Sequence, residues 1–312
     1  MSETIARLLR HALDLRAEGR DTVACLLVHA RGSTPQAAGA LMLVDDAMNT
    51  AGTIGGGCVE AEVRRRAMEM MSRGEYGLLR FKLDHDYGWD DGLICGGTVE
   101  FVVAPLPETP HLQRVLEEIA ARRPVTLELR ASDGAGESLY HLNIPPRDRL
   151  YIAGAGHVGQ ALARLAITLD FEVTLFDDRA DLLERLAPDG AQRRSGPIAE
   201  QLNQAEIDDR THCVIVTRGH RHDEQALAAV VNRGARYVGM IGSRRKVKLI
   251  FDDLREQGVD EDALGCVHAP IGLDINAVSV EEIAVSIAAE LVQVRRAERC
   301  AAVEVRGGKV TR

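Results

Sequence analysis

Apolar and polar positions divide the chain into two differently patterned halves. Near the N-terminus Ile5, Leu8, Leu9, Ala12 and Leu13 recur at helical spacing and Gly19 follows, which predicts a helix over 3–18. Two apolar runs, TVACLLVHA and GALMLVD, read as strands, and ARGSTPQAAG between them is a loop rich in turn formers. The glycine run TIGGG then leads into a helical pattern over 59–73. YGLLRFKLD and TVEFVVAPL read as further strands, the second ended by Pro105 and Pro107, with HDYGWDDGLICGG as a long loop between them. A helix over 110–122 and the strands PVTLELR and SLYHLNI, joined by a DGAGE turn, complete this half.

IPPRDR, residues 144–149, marks the boundary between the halves. Beyond it the strands LYIAG, EVTLFD, HCVIVT and ARYVGMIG alternate with helical patterns near 157–169, 179–187, 222–233, 244–257 and 280–298. Such alternation implies a parallel sheet with helices on both faces. The expected fold class is therefore α/β. It comprises an N-terminal mixed α/β domain over 1–145, a Rossmann-like doubly wound parallel sheet over 146–300, and a tail over 301–312 whose end, RGGKVTR, is expected to fray.

Composition narrows the function classes. A net charge of −9 and an aromatic content of 4% argue against nucleic-acid binding. No apolar run approaches the ~20 residues of a membrane span, and MSETIARLLRHALDLRAEGR lacks a signal-peptide core, so the expected location is the cytoplasm. The six cysteines form no CxxC pair, which weakens zinc-ribbon and thioredoxin readings, and a reducing compartment keeps them as thiols. Cys25 in TVACLLV and Cys213 in THCVIV read as buried strand residues.

In LYIAGAGHVGQALARLA, Gly154, Gly156 and Gly159 form GxGxxG between an apolar strand and an apolar helix, the context that this motif requires. The first glycine makes the turn, the second admits a phosphate, and the third lets helix and strand pack. Asp177, about 20 residues on, is placed to bond ribose hydroxyls. NAD(P) is one ligand for this loop; another nucleotide, or packing alone, is the alternative. TRGHRHDEQ carries His220, His222 and Asp223, which read either as metal ligands or as helix-cap and cleft residues. In GMIGSRRK, Ser243, Arg244, Arg245 and Lys246 put cations at a helix start, where an anion would relieve the conflict with the helix dipole; a solvated basic surface is the alternative.

The other chemistry lies with two thiols. Gly55, Gly56 and Gly57 run into Cys58 at the start of a helix, where partial positive charge favours thiolate, opposed by Glu60 and Glu62. Cys95 lies at the end of a loop, between Ile94 and Gly96, and with Gly97 has the same glycine access. The glycines remove side chains that would block a large ligand. Cys58 and Cys95 are thus candidates to contact a soft metal, carry sulfur or hold a reactive cofactor. The alternative is structural: glycines in bulges and cysteines filling gaps.

The segments RGSTPQAAGALMLV, GTIGGGCVEAEV, GLICGGTVEFVVAPL, LYIAGAGHVGQALARLA, FDDR, YVGMIGSRRK and HAPIGLDINAVSVEEIAVSIAAELV resemble the XdhC/CoxI family. Its members are accessory proteins of xanthine dehydrogenase and related molybdenum hydroxylases. Asn276 departs from the family's glycine, and asparagine tolerates the left-handed turn expected there. The resemblance implies an N-terminal XdhC/CoxI-type domain and a non-enzymatic chaperone for the molybdenum cofactor (molybdopterin). Such a chaperone shields the cofactor, presents it to a cysteine desulfurase for sulfuration and inserts it into apo xanthine dehydrogenase. It implies contact with molybdenum cofactor biosynthesis proteins as well, and a homodimer is expected. The cofactor's phosphate then has two candidate seats, a glycine loop or Ser243 to Lys246, and its molybdenum end has the thiols. The rival readings are an NAD(P)-dependent oxidoreductase and a thiol redox or metal-sensing protein.

Overall fold

The computed structural model describes residues 2–83, 97–132 and 136–297 and the backbone of 307–309. The chain separates into two units, Met1–Pro146 with Cys300–Arg312, and Arg147–Arg299.

The first unit contains α1 (Ser2–Ala17), β1 (Thr22–Arg31), β2 (Leu41–Asp45), β3 (Thr50–Gly52), α2 (Gly57–Arg73), β4 (Gly77–Lys82), β5 (Thr98–Pro105), α3 (Thr109–Ala120), β6 (Val125–Ser132) and β7 (Glu137–Ile144). Its strands lie in the order β7-β6-β4-β5-β1-β2-β3. Side chains alternate between the two faces of a strand, and both faces here are covered. Ala24 and Leu26 of β1 join Leu9 of α1 and Leu112 of α3 in one cluster. Val23, Cys25 and Leu27 join Val59, Val63 and Ala67 of α2 in the other. This is why β1 is apolar almost throughout rather than alternating.

Register fixes which loops share an end of this sheet. Arg31 pairs with Thr98, Leu26 with Leu41, and Met42 with Gly52. The end of β1, the start of β2, the end of β3 and the start of β5 therefore lie together. The loops 32–40 and 53–56 leave from this end.

The second unit contains β8 (Arg149–Ala153), α4 (His157–Thr168), β9 (Glu172–Asp177), α5 (Ala180–Leu186), β10 (Gln192–Ser195), α6 (Ile198–Gln204), β11 (Thr211–Ile215), α7 (His220–Val230), β12 (Tyr237–Met240), α8 (Arg244–Glu256), α9 (Glu261–Gly265) and α10 (Val280–Ala297). Its strands are all parallel, in the order β10-β9-β8-β11-β12. The order reverses between β8 and β11, the switch point at which ligands bind beyond the carboxyl ends of such strands. Leu162 of α4 and Ile287 of α10 cover one face; Leu202 of α6, Leu227 of α7 and Ile250 of α8 cover the other. His268 extends the sheet past β12, donating its backbone N–H to Val238 O at 2.9 Å and accepting from Met240 N–H at 3.0 Å.

This is the α/β architecture expected, with a doubly wound parallel sheet in the second unit. Four further elements, β3, β10, α6 and α9, carry no strong periodicity. All four residues of β10 are exposed, so the strand rests on backbone pairing with β9 alone. In place of a wholly frayed tail, Gly307–Lys309 (β13) pairs antiparallel with β7, a contact that needs backbone only. Among the described residues no helix is long and apolar enough to cross a membrane.

Candidate functional site

The thiol motif of the first unit occupies the turn from β3 into α2. Gly56 caps α2, and Cys58, half-buried, stands in its first turn. The three glycines before it differ. A methyl group on Gly55 would lie 2.6 Å from Pro35 Cγ, whereas one on Gly56 or Gly57 would meet nothing within 4 Å. Gly55 is thus packed against the 32–40 loop. Gly56 and Gly57, with φ of 73° and 64°, have open space where a Cβ would stand.

Glu60 ties the turn together. Its carboxylate accepts from Thr53 Oγ1 at 2.7 Å, Gly56 N–H at 3.0 Å and Ile54 N–H at 3.1 Å. Burial opposes the charge, but these hydrogen bonds outweigh it and hold the Glu60 pKa below its ordinary value. Glu62, expected to oppose a thiolate, is engaged instead by Arg65 and Arg66, which pull its pKa down to about 2.

Of the second thiol motif, Cys95 and Gly96 lie outside the described residues. Gly97 is packed: a methyl group there would sit 2.7 Å from Arg31 O and 2.8 Å from Ser33 O. The 32–40 loop therefore touches both Gly55 and Gly97. Cys25 and Cys213 are buried, as expected, and burial pushes each thiol up to about 12.

In the second unit the glycine loop joins β8 to α4. A methyl group on Gly154 would lie 2.5 Å from Val216 O and one on Gly159 2.0 Å from Gly154 O, while Gly156 has nothing within 4 Å. Two glycines serve packing, and Gly156, which caps α4, leaves room at a helix N-terminus. Asp177 does not stand free for a ribose. It is 1% exposed and accepts from Ala155 N–H at 2.7 Å, from Arg179 N–H at 3.0 Å and from Arg179 Nε and Nη2 at 2.8 Å each. These contacts use the roughly four acceptor positions of a carboxylate. Burial alone would raise its pKa; the Arg179 and backbone bonds lower it below the usual range.

The basic segment divides similarly. Ser243 caps α8, accepting from Lys246 N–H at 3.3 Å. Arg244 and Arg245 are exposed, but Lys246 pairs with the fully buried Asp223, whose Oδ1 also accepts from Thr217 Oγ1 at 2.7 Å. Lys246 thus compensates a buried charge instead of offering one to an anion. The run His220, His222 and Asp223 is not gathered about one point. His222 Nε2 lies 3.8 Å from Asp178, and His220 Nε2 lies 3.4 Å from Asp253.

One cluster was not read as a site from the sequence, although its residues lie in the segments YVGMIGSRRK and HAPIGLDINAVSVEEIAVSIAAELV. Tyr237 Oη donates to Glu290 Oε2 at 2.5 Å, Gly272 N–H donates to the same atom at 2.8 Å, and His268 Nδ1 lies 2.9 Å from Glu290 Oε1. These residues are far apart in the chain, and only the pairing of His268 beside β12 assembles them. Asn276 has φ of 55°, the left-handed turn expected of it.

Comparison with known proteins agrees with this architecture. Residues 15–82 match the model of the XdhC and CoxI family, and residues 150–291 match that of the XdhC Rossmann domain. The chain is 28% identical over 271 residues to YqeB of Escherichia coli, covering 86% of this chain but only 42% of that protein's length. It is 27% identical over 300 residues to PaoD of the same organism, named a molybdenum cofactor insertion chaperone, covering 92% of this chain and 88% of PaoD. A Bacillus halodurans crystal structure titled a xanthine dehydrogenase superposes with a TM-score of 0.81 at 22% identity, over 94% of this chain and 97% of that one, which shows a shared fold. The two family models together span about two thirds of the sequence, and the chain belongs to the XdhC and CoxI family.

Proposed function

We propose that this chain is an insertion chaperone for the molybdenum cofactor, acting on a molybdoenzyme of the xanthine dehydrogenase type. The observation that carries the proposal is the Cys58 turn. A thiol stands in the first turn of a helix behind two glycines whose Cβ positions open onto free space. A sulfur donor at such a turn suits the soft molybdenum end of the cargo. The kinship with PaoD supports the same reading.

The cargo's phosphate fits less well at this helix end, because Glu60 already accepts from Ile54 and Gly56. The N-terminus of α4 behind Gly156 and the exposed Arg244 and Arg245 are the alternative anion seats, both in the second unit. The finer reading is that the chain shields the cargo, offers it for sulfuration by a cysteine desulfurase, hands it to the apo enzyme, catalyses no reaction of its own, and works as a homodimer in the cytoplasm. Cys95 is the second candidate contact.

The rival nicotinamide reading needs a carboxylate for the ribose. The saturation of Asp177 by Ala155 and Arg179 counts against it. One experiment separates the readings. Purified protein is mixed anaerobically with molybdenum cofactor, passed through a desalting column, and assayed for retained pterin by fluorescence after oxidation. Near-stoichiometric retention by wild type, reduced at least about tenfold in Cys58→Ala, is expected. Equal retention by both would remove Cys58 from the site. No retention by wild type would sink the chaperone reading, and NAD titrated calorimetrically would then be the ligand to test.

A further inference from the structure

The outer helices of the second unit carry a set of groups that neither the cargo reading nor the family fold uses. His220 and Glu224 are four residues apart on α7, which places them on one face of the helix. Asp253 of α8 comes up beside them, and one ligand atom from each residue lies within 4.8 Å of the other two. No lysine or arginine forms an ion pair with Glu224 or Asp253 among the described residues. The contrast with the same helix is direct, since Asp252 pairs with Arg255 at 2.7 Å. Asp253 meets the His220 imidazole at 3.4 Å. Glu224 meets an amide, Gln257 Nε2 donating to its Oε1 at 2.7 Å. Among the described residues, two carboxylates thus converge on one imidazole with no lysine or arginine paired to either.

We infer that His220, Glu224 and Asp253 form a site for a divalent transition-metal ion, with Gln257 as a positioning residue. One imidazole nitrogen and two carboxylate oxygens suit a borderline cation such as zinc or cobalt, better than the all-oxygen shells of calcium and magnesium or the thiolates of copper(I). Bonds of ~2.0–2.2 Å put neighbouring ligand atoms ~3–3.5 Å apart. Small rotations of three solvent-accessible side chains close the present spacing to that. Gln257 holds one Glu224 oxygen, which leaves the other to face the ion, the usual role of a group behind a ligand. Three protein ligands leave a fourth position for water or an exchangeable anion. Glu224 and Gln257 also line a cavity of about 530 Å³ with His222 and Asp178, so an exchangeable ligand has space beside the site. The site stands independently of whether the protein carries a cofactor.

The test uses the full-length protein, stripped of metal by a chelator. Cobalt(II) is titrated while the visible absorption is followed, and zinc(II) is titrated by calorimetry. One equivalent should saturate the protein. His220→Ala, Glu224→Gln and Asp253→Asn should each weaken binding at least about tenfold, and Gln257→Ala about tenfold. His222→Ala should leave it unchanged. These side chains are on the surface, so thermal unfolding of each variant should match wild type and shows that loss of binding is not loss of fold. Absence of saturable binding by wild type overturns the site. So does an affinity that survives the His220→Ala, Glu224→Gln double variant, or one that falls only when Cys58 or Cys266 is replaced.

Discussion

Each unit carries one glycine-rich turn leading from a strand into a helix, and the two turns solve the same problem differently. In the Thr53–Cys58 turn the bracing carboxylate is local: Glu60, in the helix itself, reaches back to the backbone of Ile54 and Gly56. In the Gly154–Gly159 loop it comes from the next strand, where Asp177 holds Ala155 and is itself gripped by Arg179. The first turn packs one glycine and leaves two open; the second packs two and leaves one open. A glycine-rich turn is therefore a mixture of residues small for the fold's sake and residues small for a ligand's sake. A nearby carboxylate is as much a brace as a ligand contact.

The sharpest way to break this division is to add a methyl group at a packed position. At Gly159 it would lie 2.0 Å from the carbonyl of Gly154. Neither atom belongs to a side chain that can swing away, so α4 must shift off β8. Gly159→Ala should destabilise the second unit by about 3 kcal/mol. Hydrogen exchange resolved by mass spectrometry should show faster exchange in α4 and β8 and an unchanged first unit. An unaltered second unit would mean that the third glycine is not there for packing.

The units should also differ in acid. His212 of β11 is fully buried, its ring edge-on to Phe171 at 5.2 Å between centroids, and burial lowers its pKa from 6.5 to about 4. The unfolded chain takes up a proton below about pH 6.5 and the folded unit resists until about pH 4. Stability is therefore full above that window and falls as the pH falls through it, by about 3 kcal/mol in all. His212→Leu should flatten the second unit's loss between pH 6.5 and 4, measured by urea unfolding followed by hydrogen exchange. Equal slopes for wild type and variant would assign the acid response elsewhere.

Removing the braces should give smaller and unequal effects. Asp177→Asn strips charge from a buried group that faces Arg179 and should cost about 2 kcal/mol. Glu60→Ala leaves two backbone N–H groups that water can partly reach and should cost about 1 kcal/mol. Both carboxylates have pKa values lowered in the folded state. Their contribution is present above the ordinary carboxylate range and lost as the pH falls through the folded values. Denaturant titrations at pH 7 and pH 3 should show each variant's deficit shrinking at the lower pH.

The difference between the turns also explains what was legible in the sequence. Helix α4 and strand β8 announce themselves through apolar spacing, and the GxGxxG between them has a fixed meaning in that context. Helix α2 was equally plain, and so was the placing of Cys58 in its first turn. What the linear pattern lacks is the partner of each charge. Asp177 stood at the distance of a ribose ligand, but its neighbour Arg179 claims it. Lys246 stood among cations at a helix start, but Asp223, over 20 residues earlier, needs it inside. His268, Glu290 and Tyr237 meet only because a stretch with little strand signal adds to the sheet edge. Spacing reports which face a residue occupies; a buried charge reports its partner only once the elements have packed.

The smallest expected effect on stability tests the division most directly. Gly156 has φ of −69°, which any residue adopts, and free space where a Cβ would stand. Gly156→Ala should therefore change stability by less than about 0.5 kcal/mol. Gly57 has the same free space but φ of 64°, so Gly57→Ala should cost about 1 kcal/mol through backbone strain alone. Because the Gly156 variant folds like wild type, any loss of ligand binding it shows is loss of approach to the N-terminus of α4. Phosphate or a nucleotide titrated into wild type and Gly156→Ala reads this out. Weaker binding in the variant would show that this glycine is kept for an anion. Equal binding would make the open space at the second turn incidental and leave the Cys58 turn as the one whose glycines serve a ligand.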